Sequence, residues 1–350
     1  MFVWVTHQVA TTRWLKAELA ARAPHLRFAF ARPGLTTFRV DGPPPTLDVR
    51  PGAVAMPTAF ARAWGLSLGR GQVPEVLAAL TPGAPPVRLH VFERDRDQPV
   101  DEQDPAERGA RAAAVEASLR AAAPAGAFHD DVRARVGDRV LDVIVPHGHD
   151  PDEPWLIGTH DHDATHGPWP GGVTHVPPPP EAPSRAWCKI EEALRWADLE
   201  PAPGEIAVEL GAAPGGASYA MLVRGVEVHG VDPGEIHPAV LGFAGPHGNR
   251  FVHHHLPAAE VARGALPRRY QWLLNDVNLA PMVAMKYIER FVALAHGGLK
   301  GAVLTLKLND DGVVAALPRL RERIGKLGAR QVRITQLPSH RSEVVAILTW

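Results

Sequence analysis

Cysteine is almost absent from this chain of 350 residues, in which Cys188 is the only one. A single thiol excludes an internal disulfide framework and a cysteine-rich zinc site. No apolar run approaches the roughly 18–20 residues of a membrane span, and the opening segment MFVWVTHQVATTRW lacks the layout of a signal peptide. We therefore expect a cytoplasmic protein with no membrane partner, and we favour a monomer.

The chain also lacks a strong net charge and is poor in lysine. The formal net charge is −1, so any surface for nucleic acid has to be local. Of the 37 basic residues only six are lysine. An arginine cannot lose its proton in a protein but a lysine can, which gives the lysines a weak priority as candidates for chemistry. They are Lys16, Lys189, Lys286, Lys300, Lys307 and Lys326.

Residues 1–166 have the pattern of an α+β domain. Alternation and apolar periodicity predict strands over 2–5, 35–40 and 139–145, and helices over 11–23 and 104–122. Residues 167–183 read GPWPGGVTHVPPPPEAP. This segment contains too much proline and glycine for a helix or a central strand. We interpret it as a linker between two domains.

Residues 184–350 alternate short apolar strands with helices, which predicts a doubly wound, mostly parallel sheet. Only residues 337–342 separate the last two strands, too few for a crossover helix, so these strands should form an antiparallel hairpin. Together these features predict the class I, Rossmann-like methyltransferase sheet. The predicted strands are 206–210, 227–231, 251–254, 271–275, 302–308, 331–336 and 343–349, and the predicted helices begin near 216 and cover 281–295 and 312–327.

A glycine-rich turn follows the first strand of this sheet, in Val208-Glu-Leu-Gly-Ala-Ala-Pro-Gly-Gly216. Glycines let a ligand approach the backbone, and ligands of doubly wound sheets bind beyond the C-terminal strand ends. Pro214 and the glycine spacing fit a dinucleotide fingerprint poorly. Asp232 closes the second strand about 20 residues later, where an acidic group can bind ribose hydroxyls. That position suits either NAD or S-adenosylmethionine.

Four charged residues can reach the same edge of the sheet. Lys189 precedes the glycine-rich turn, and Asp276 and Lys307 end the fourth and fifth strands. Glu343 opens the last strand. Each alone is most often a solvated surface group, and two lysines with two acids can be ordinary ion pairs. Their joint placement around the turn favours a functional site.

These segments together resemble the FtsJ-like ribose 2′-O-methyltransferases, whose catalytic set is Lys-Asp-Lys-Glu. Further residues resemble one branch, the RlmM group, which methylates a cytidine ribose in 23S rRNA and has an N-terminal THUMP-containing region. The resemblance covers about half the chain and is faint over residues 1–150. It lies in Gly167–Gly171, Ala182–Arg185, Ser184–Lys189, Lys189–Leu194, Leu210–Gly216, Asp276 with Pro281, Lys307 and Glu343.

The resemblance implies an S-adenosylmethionine-dependent enzyme that methylates an RNA ribose, with large-subunit rRNA as the expected partner. A ribose hydroxyl is a weak nucleophile that needs a base or a group that stabilises alkoxide. By resemblance Lys307 is that group, as a neutral amine or by orienting the oxygen. Lys189 would push Lys307 toward neutrality, and Asp276 and Glu343 would position both lysines. Because a sulfonium supplies an activated methyl, we expect no metal. The implied cofactor-binding residues are Glu209, Gly211, Ala212, Ala213, Pro214, Gly215, Gly216, Asp232, His254 and Asp276.

Two histidine-rich segments are not predicted to bind a metal ion. His253–His255 ends the third strand, where relatives tend to have an acidic residue against the adenine amine, and His254, His255 or the backbone can take that role. Structural zinc sites normally close with four ligands, which makes this segment more typical of pocket lining. Residues 160–166, HDHDATH, have metal-ligand types, but loop histidines of this kind are more often solvated or capping groups.

The stretch 319–341 carries six arginines and one lysine against Glu322 alone. Such a run is either a solvated helix face or a phosphate-binding surface. Trp187 can assist RNA binding or belong to the core. The candidate RNA-binding residues are Arg185, Arg268, Arg269, Arg319, Arg323 and Arg341.

Two other functions stay open. The chain could be a methyltransferase of another RNA or of a small molecule, or a non-catalytic RNA-binding scaffold. NAD-dependent oxidation is disfavoured by the Pro-Gly-Gly loop and the closing hairpin.

Overall fold

Two units make up the computed structural model, which describes residues 1–42, 56–95, 109–146, 153–172, 176–308 and 311–350. The units are Met1–Thr174 and His175–Trp350, and each is built on one seven-stranded sheet. The division falls inside the predicted linker 167–183. Residues 173–175 of that linker, and residues 104–108 of a predicted helix, lie outside the described residues. Within the described ranges, every helix is too short or too polar to cross a lipid bilayer.

The sheet of the first unit has the strand order β2-β3-β1-β4-β7-β6-β5. Its elements are β1 (Phe2–Thr6), α1 (Thr12–Arg22), β2 (Leu26–Arg32), β3 (Leu35–Val40), β4 (Ala63–Gly71), α2 (Val73–Ala78), β5 (Arg88–Glu93), α3 (Ala110–Ala122), β6 (Arg139–Val145) and β7 (Trp155–Asp161). The antiparallel order β2-β3-β1-β4 is that of a ferredoxin-like sheet. β5 and β6 are parallel and joined through α3, whereas β7 is antiparallel to both of its neighbours.

Four strands of this unit carry no clear sequence signal. In β2 the alternation fails because both faces of the strand carry exposed residues, one of which is Phe28. Glycines interrupt β4, which contains a register shift between Ser67 and Gly69. β5 and β7 contain buried histidines in place of apolar residues. The apolar alternation of β1, β3 and β6 was sufficient to predict those three strands.

The histidines of residues 160–166 are buried, contrary to the expectation of a solvated loop. His160 belongs to β7, and His160, His162 and His166 are all buried. The segment after β7 folds back over the sheet, where the His166 ring stacks on the His160 ring with centroids 4.6 Å apart. Residues 167–172 also pack against the first unit, and a Cβ at Gly171 would lie 2.7 Å from the Phe92 ring.

The sheet of the second unit has the order β10-β9-β8-β11-β12-β14-β13. Its elements are α4 (Ala186–Ala197), β8 (Ile206–Leu210), α5 (Gly216–Leu222), β9 (Glu227–Val231), α6 (Pro238–Leu241), β10 (Phe251–His254), β11 (Trp272–Asn275), α7 (Pro281–Leu294), β12 (Gly301–Lys307), α8 (Asp311–Ala315), α9 (Leu317–Gly325), β13 (Gln331–Thr335) and β14 (Glu343–Thr349). The five strands β8 to β12 are parallel to one another, and β14 is antiparallel to β12 and β13. The predicted Rossmann-like sheet with a closing hairpin is confirmed.

This topology creates a crevice between β8 and β11, where the strand order reverses. Ligands of open α/β sheets bind at such a switch point, beyond the C-terminal ends of the strands. The glycine-rich turn follows β8 and Asp276 follows β11, so both flank the crevice. The fold therefore brings the two predicted site segments to the position where this class of sheet binds ligands.

Two details of the second unit bear on the sequence predictions: one predicted helix is divided, and Trp187 is buried. The helix predicted over 312–327 is divided into α8 and α9. Pro318 lies in the first turn of α9, where a missing amide hydrogen is tolerated, whereas it would break the middle of one longer helix. Trp187 is buried in the hydrophobic core, so it cannot stack on RNA.

The parallel core leaves no room beside Trp272. Its indole nitrogen donates to Glu205 Oε2 at 2.6 Å, which fixes the ring, and Gly301 lies directly opposite on β12. A Cβ at Gly301 would lie 2.3 Å from a ring carbon of Trp272. Only glycine fits at this position.

Gly301→Ala should lower the free energy of unfolding by about 1–3 kcal/mol because of overpacking. Gly325→Ala is the matched control, since its Cβ would meet nothing within 4 Å. In the last turn of α9 that substitution should be neutral or stabilise by roughly 0.5–1 kcal/mol. The midpoint of urea unfolding measures both effects, and equal midpoints for the two variants would contradict the packing argument.

Candidate active site

Four charged side chains meet at the C-terminal edge of the second sheet. Lys189 Nζ lies 3.0 Å from Asp276 Oδ2 and 2.8 Å from Glu343 Oε2. Lys307 Nζ lies 3.1 Å from Asp276 Oδ1 and contacts Glu343 Oε1. Each lysine therefore contacts both carboxylates. We refer to Lys189, Asp276, Lys307 and Glu343 as the tetrad; their side chains are only 12 to 17% exposed.

Strand register brings three members of the tetrad together. Lys307 and Glu343 are direct partners in the β12–β14 ladder. Asp276 immediately follows β11, the parallel neighbour of β12. The Asn275 side chain donates to the Thr305 carbonyl at 3.0 Å and ties the ends of these strands. The three side chains are thus fixed by backbone pairing.

The fourth member, Lys189, lies on α4, and this helix is bonded to the connection that precedes Glu343. Glu192, one turn further along α4, accepts hydrogen bonds from the Ser339 amide at 2.9 Å and the Ser339 hydroxyl at 2.7 Å. Ser339 lies in the short connection that leads to Glu343. Glu192 is a positioning residue that the sequence reasoning missed; its spacing of three residues from Lys189 was the available signal.

The charges of the tetrad decide the protonation state of Lys307. Burial lowers the pKa of Lys307, but Asp276 and Glu343 together outweigh burial and hold this pKa above its ordinary value. Burial raises the pKa of Glu343, and Lys189 and Lys307 more than reverse that effect. The expectation that Lys189 drives Lys307 toward neutrality is wrong, because two carboxylates contact the two ammonium groups.

A buried histidine lies beside the tetrad and was also missed. His340 is fully buried, and burial lowers its pKa to about 3. Glu343 raises this pKa, whereas Lys189 and Lys307 lower it. His340 is therefore neutral at physiological pH and adds no third positive charge. Its position three residues before Glu343 was the only signal in the sequence.

The glycine-rich turn packs against the tetrad backbone. Gly211 has φ +79°, and a Cβ there would lie 2.7 Å from the Val277 amide nitrogen. The Asp276 amide donates to the Leu210 carbonyl at 2.9 Å. Gly215 also has positive φ, and a Cβ at Gly216 would lie 2.2 Å from Ser184 Oγ. These glycines are needed for close approach between the turn, β11 and the start of α4.

Asp232 and two nearby histidines lie beside the glycine-rich turn, at the end of β9. The Asp232 carboxylate accepts from the Ala213 amide at 3.2 Å and the Gly234 amide at 2.7 Å. His253 lies 3.0 Å from the Asp232 carbonyl and His255 lies 2.7 Å from the Pro233 carbonyl.

His254 lies on the other face of β10 and differs from its two neighbours. Its Nε2 is 3.0 Å from Nδ1 of His229, and the two rings stack. His253 and His255 lie on the side of Asp232, because alternate residues of a strand point to opposite faces. Of the alternatives offered for the adenine contact, this geometry favours His255 over His254.

Glu209 lies beneath the turn. It is 1% exposed and accepts a hydrogen bond from the Ser218 hydroxyl. Burial raises the pKa of Glu209 to about 8; the charges of Asp276 and Asp232 add to the shift, and the Ser218 hydrogen bond opposes it. A small hollow next to the tetrad is lined by Lys189, Glu209, Ala217, Asn275, Asp276 and Thr305, among others. Glu209 is therefore largely protonated at neutral pH.

The arginines expected to bind RNA fall into two groups. Arg185, Arg319 and Arg341 are exposed; Arg185 begins α4 one turn before Lys189, Arg319 lies in the first turn of α9, and Arg341 is two residues before Glu343. These three lie near the C-terminal edge of the sheet.

The other three arginines expected to bind RNA lie away from the tetrad or are paired with an acid. Arg268 and Arg269 precede β11 and lie at its N-terminal end, the edge of the sheet opposite the tetrad. Arg323 forms a two-point ion pair with Glu289, with both distances 2.8 Å, and donates to the Met282 carbonyl. It joins α9 to α7.

The second unit matches a known family over part of its length. Residues 182–253 match the model of the FtsJ-like methyltransferase family. This part of the chain is therefore similar to FtsJ-like methyltransferases. The matched residues contain Lys189, the glycine-rich turn and Asp232. S-adenosylmethionine is the cofactor that the FtsJ-like match indicates.

Similar proteins include two named Ribosomal RNA large subunit methyltransferase M. The one from Azotobacter vinelandii is 35% identical over 193 residues, with 51% of each chain covered. The one from Ectopseudomonas mendocina is 33% identical over 192 residues, with 51% of this chain and 52% of the relative covered. The chain thus spans about half the length of the curated relatives it matches. Among solved structures, TrmN from Thermus thermophilus aligns over 99% of both chains at 16% identity and a TM-score of 0.33.

The residues around the crevice of the second unit fit S-adenosylmethionine. Asp232 and Asp276, which follow β9 and β11, give the crevice an acidic character that suits a ligand with sulfonium and ammonium charges. Small residues in the turn leave its backbone open to a ligand. The residues that would hold the cofactor are Gly211, Ala212, Ala213, Pro214, Gly215, Gly216, Asp232, His253 and His255.

Glu209→Gln should stabilise the protein at alkaline pH. The folded-state pKa of about 8 lies above the ordinary value of 4.5, so between these values the folded protein holds a proton that the unfolded chain has released. Wild-type stability therefore falls as pH rises through this window, by on the order of 1 kcal/mol per pH unit. Urea midpoints from pH 5 to 9 test this, with the exposed substitution Glu181→Gln as control. Parallel pH curves for wild type and Glu209→Gln would disprove the shift.

Proposed function

We propose that this chain is an S-adenosylmethionine-dependent methyltransferase that acts on a ribose 2′-hydroxyl of RNA, with a cytidine of 23S rRNA as its acceptor. The observation that carries the proposal is the tetrad, in which two lysines and two acids contact one another beside the glycine-rich turn. Relatives named for large-subunit ribosomal RNA support the choice of acceptor.

The tetrad suits alkyl transfer to an alcohol. The bound cofactor supplies an electrophilic methyl group, and the protein has to align the 2′-oxygen with it and stabilise the charge that develops on that oxygen. Lys307 presents an ammonium group held between Asp276 and Glu343. Lys189 balances the same two carboxylates from the other side. This fixed arrangement is preorganised for hydrogen bonding to the oxygen.

The raised pKa of Lys307 selects between two roles for this residue. A lysine that is charged at neutral pH cannot accept the hydroxyl proton until it has lost its own. As an ammonium group, however, it can donate a hydrogen bond to the 2′-oxygen and stabilise developing alkoxide. We therefore assign Lys307 to orienting and electrostatically stabilising the acceptor oxygen, and the released proton leaves through a carboxylate of the tetrad or through water.

The first unit is proposed to position the RNA, in line with the resemblance to THUMP-containing enzymes. Arg185, Arg319 and Arg341 are proposed to contact phosphates near the tetrad. Contacts of this kind supply salt-dependent affinity without sequence preference. Selection of one nucleotide then depends on the rest of the RNA-binding surface.

Lys307→Ala should reduce methyl transfer to rRNA by at least about 100-fold, because it removes a preorganised group at the developing charge. Transfer is measured with radiolabelled S-adenosylmethionine and rRNA from cells that lack the gene, and the product by nucleoside mass spectrometry. Lys300→Ala is the matched control, since Lys300 pairs with Glu205 at the start of β12.

Both role and substrate are tested by the same assay. Full activity of Lys307→Ala would refute the catalytic role of the tetrad, and no 2′-O-methylnucleoside from the wild-type protein would refute the rRNA assignment. The orienting role predicts kcat nearly independent of pH between about 7 and 9, because Lys307 stays protonated. A tenfold rise per pH unit would instead make the free amine the base.

Reversal of charge at Arg319 and Arg341 should weaken RNA binding at least about tenfold and lower the salt slope of log Kd, by roughly one for each phosphate that the protein no longer neutralises. Arg268→Glu with Arg269→Glu is the matched control, because these arginines are exposed at the opposite edge of the sheet. Fluorescence anisotropy with an rRNA fragment at several salt concentrations provides the measurement. Equal weakening in the two double variants would show only a general charge effect.

A further inference from the structure

The first unit contains a cluster of buried metal-ligand residues that has no role in the proposed methyl transfer. His90, Asp142 and His160 lie on β5, β6 and β7, and their ligand atoms are all within 4.8 Å of one another. All three side chains are at most 6% exposed. In the part of the chain that the structure describes, it is the one group of three such residues whose ligand atoms converge in this way.

Strand pairing fixes this convergence. His90 is the direct partner of Asp142 in the parallel β5–β6 ladder. Asp142 is opposite Gly158 in the antiparallel β6–β7 ladder, so His160, two residues along, is on the same face of the sheet. Gly158 has no side chain that could separate Asp142 from His160. The three side chains therefore meet over one face of three adjacent strands.

Hydrogen bonds orient both histidines as metal ligands are usually oriented. His90 Nε2 lies 2.8 Å from the Val132 carbonyl. A carbonyl only accepts, so Nε2 carries the hydrogen and Nδ1 presents a lone pair. His160 Nδ1 is hydrogen-bonded to Asp142 at 2.7 Å, and His160 Nε2 lies 3.4 Å from His162 Nδ1. A metal ion bound through His160 Nδ1 would take the place of the hydrogen between His160 and Asp142. Metal-binding histidines characteristically have such a partner on the second ring nitrogen.

Two potential ligand atoms of the cluster face each other. His90 Nδ1 faces Asp142 Oδ1 at 3.9 Å, and both atoms can present lone pairs. A metal ion between them would accept a lone pair from each atom.

We propose that His90, Asp142 and His160 bind one divalent transition metal ion of the zinc class, which ties β5, β6 and β7 together. Imidazole nitrogens and a carboxylate oxygen are ligands that zinc accepts, with bonds of about 2.0–2.2 Å. Two ligand atoms on one ion are then at most about 4.2–4.4 Å apart, so small side-chain rotations let all three reach it. With three protein ligands, a water molecule would complete the four-coordinate shell, and the site is independent of the proposed methyl transfer.

Zinc binding by the full-length, tag-free protein tests the proposal. After treatment with a chelator, the wild-type protein should take up about one equivalent of Zn²⁺ with a rise in Tm. Co²⁺ should bind competitively and give the visible absorption of a low-coordinate site, and Mg²⁺ should not compete because it prefers oxygen ligands.

Matched variants assign the ion to this cluster. Asp142→Asn and His90→Asn should weaken zinc binding by at least about 100-fold, since loss of an outer partner alone costs about 10- to 100-fold. His7→Asn removes another buried histidine of the same unit and should bind zinc like wild type. Circular dichroism without metal checks that each variant folds.

Crystals of the wild-type protein soaked in zinc decide the case if a variant fails to fold. An anomalous peak between His90 Nδ1 and Asp142 supports the proposal. No saturable binding, unchanged binding by Asp142→Asn, or a peak elsewhere would overturn it and leave a protonated Asp142 in a hydrogen-bonded network.

Discussion

Mutual neutralisation of two lysines and two acids holds the end of the second sheet together. Each ammonium of the tetrad contacts both carboxylates, and all four groups are largely shielded from water. Removing one partner from such a set leaves an uncompensated charge in a poorly solvated place. The positions of α4, β11, β12 and β14 at this edge are therefore coupled through charge as well as through the backbone.

The same coupling explains why the chemistry of Lys307 could not be read from residue order alone. Positions next to strand ends indicate which residues can meet at one edge of the sheet. On this basis the sequence correctly predicted that Lys189, Asp276, Lys307 and Glu343 lie together. Two nearby carboxylates raise the pKa of Lys307, and burial lowers it. The size of each effect depends on distances that are set by side-chain rotamers and strand register. His340 and Glu192 were missed for a related reason. His340 lies in a short connection that has no periodic signal, and Glu192 is a polar residue at a buried position of α4, which apolar periodicity does not mark.

Prediction was best where one physical rule dominated. Parallel strands buried on both faces give apolar runs, so the second sheet and its closing hairpin were predictable. In the first unit, strands such as β5 and β7 bury histidines, and hydropathy therefore failed. Arginine positions were the least predictable: Arg268 and Arg269 lie at the edge of the sheet opposite the tetrad, and Arg323 is paired with Glu289, although all three belong to basic runs.

The pairing of Lys307 with Glu343 across β12 and β14 limits how this chain can change in length. Side chains on a strand alternate between faces, so a shift of one residue would turn Glu343 away from the lysines. Surface loops of most domains accept insertions and deletions readily. The connection Leu337–Ser342 does not have this freedom, because Ser339 is bound to Glu192 on one side and Glu343 follows on the other. We therefore expect length variation to accumulate elsewhere in the second unit and to avoid this six-residue segment.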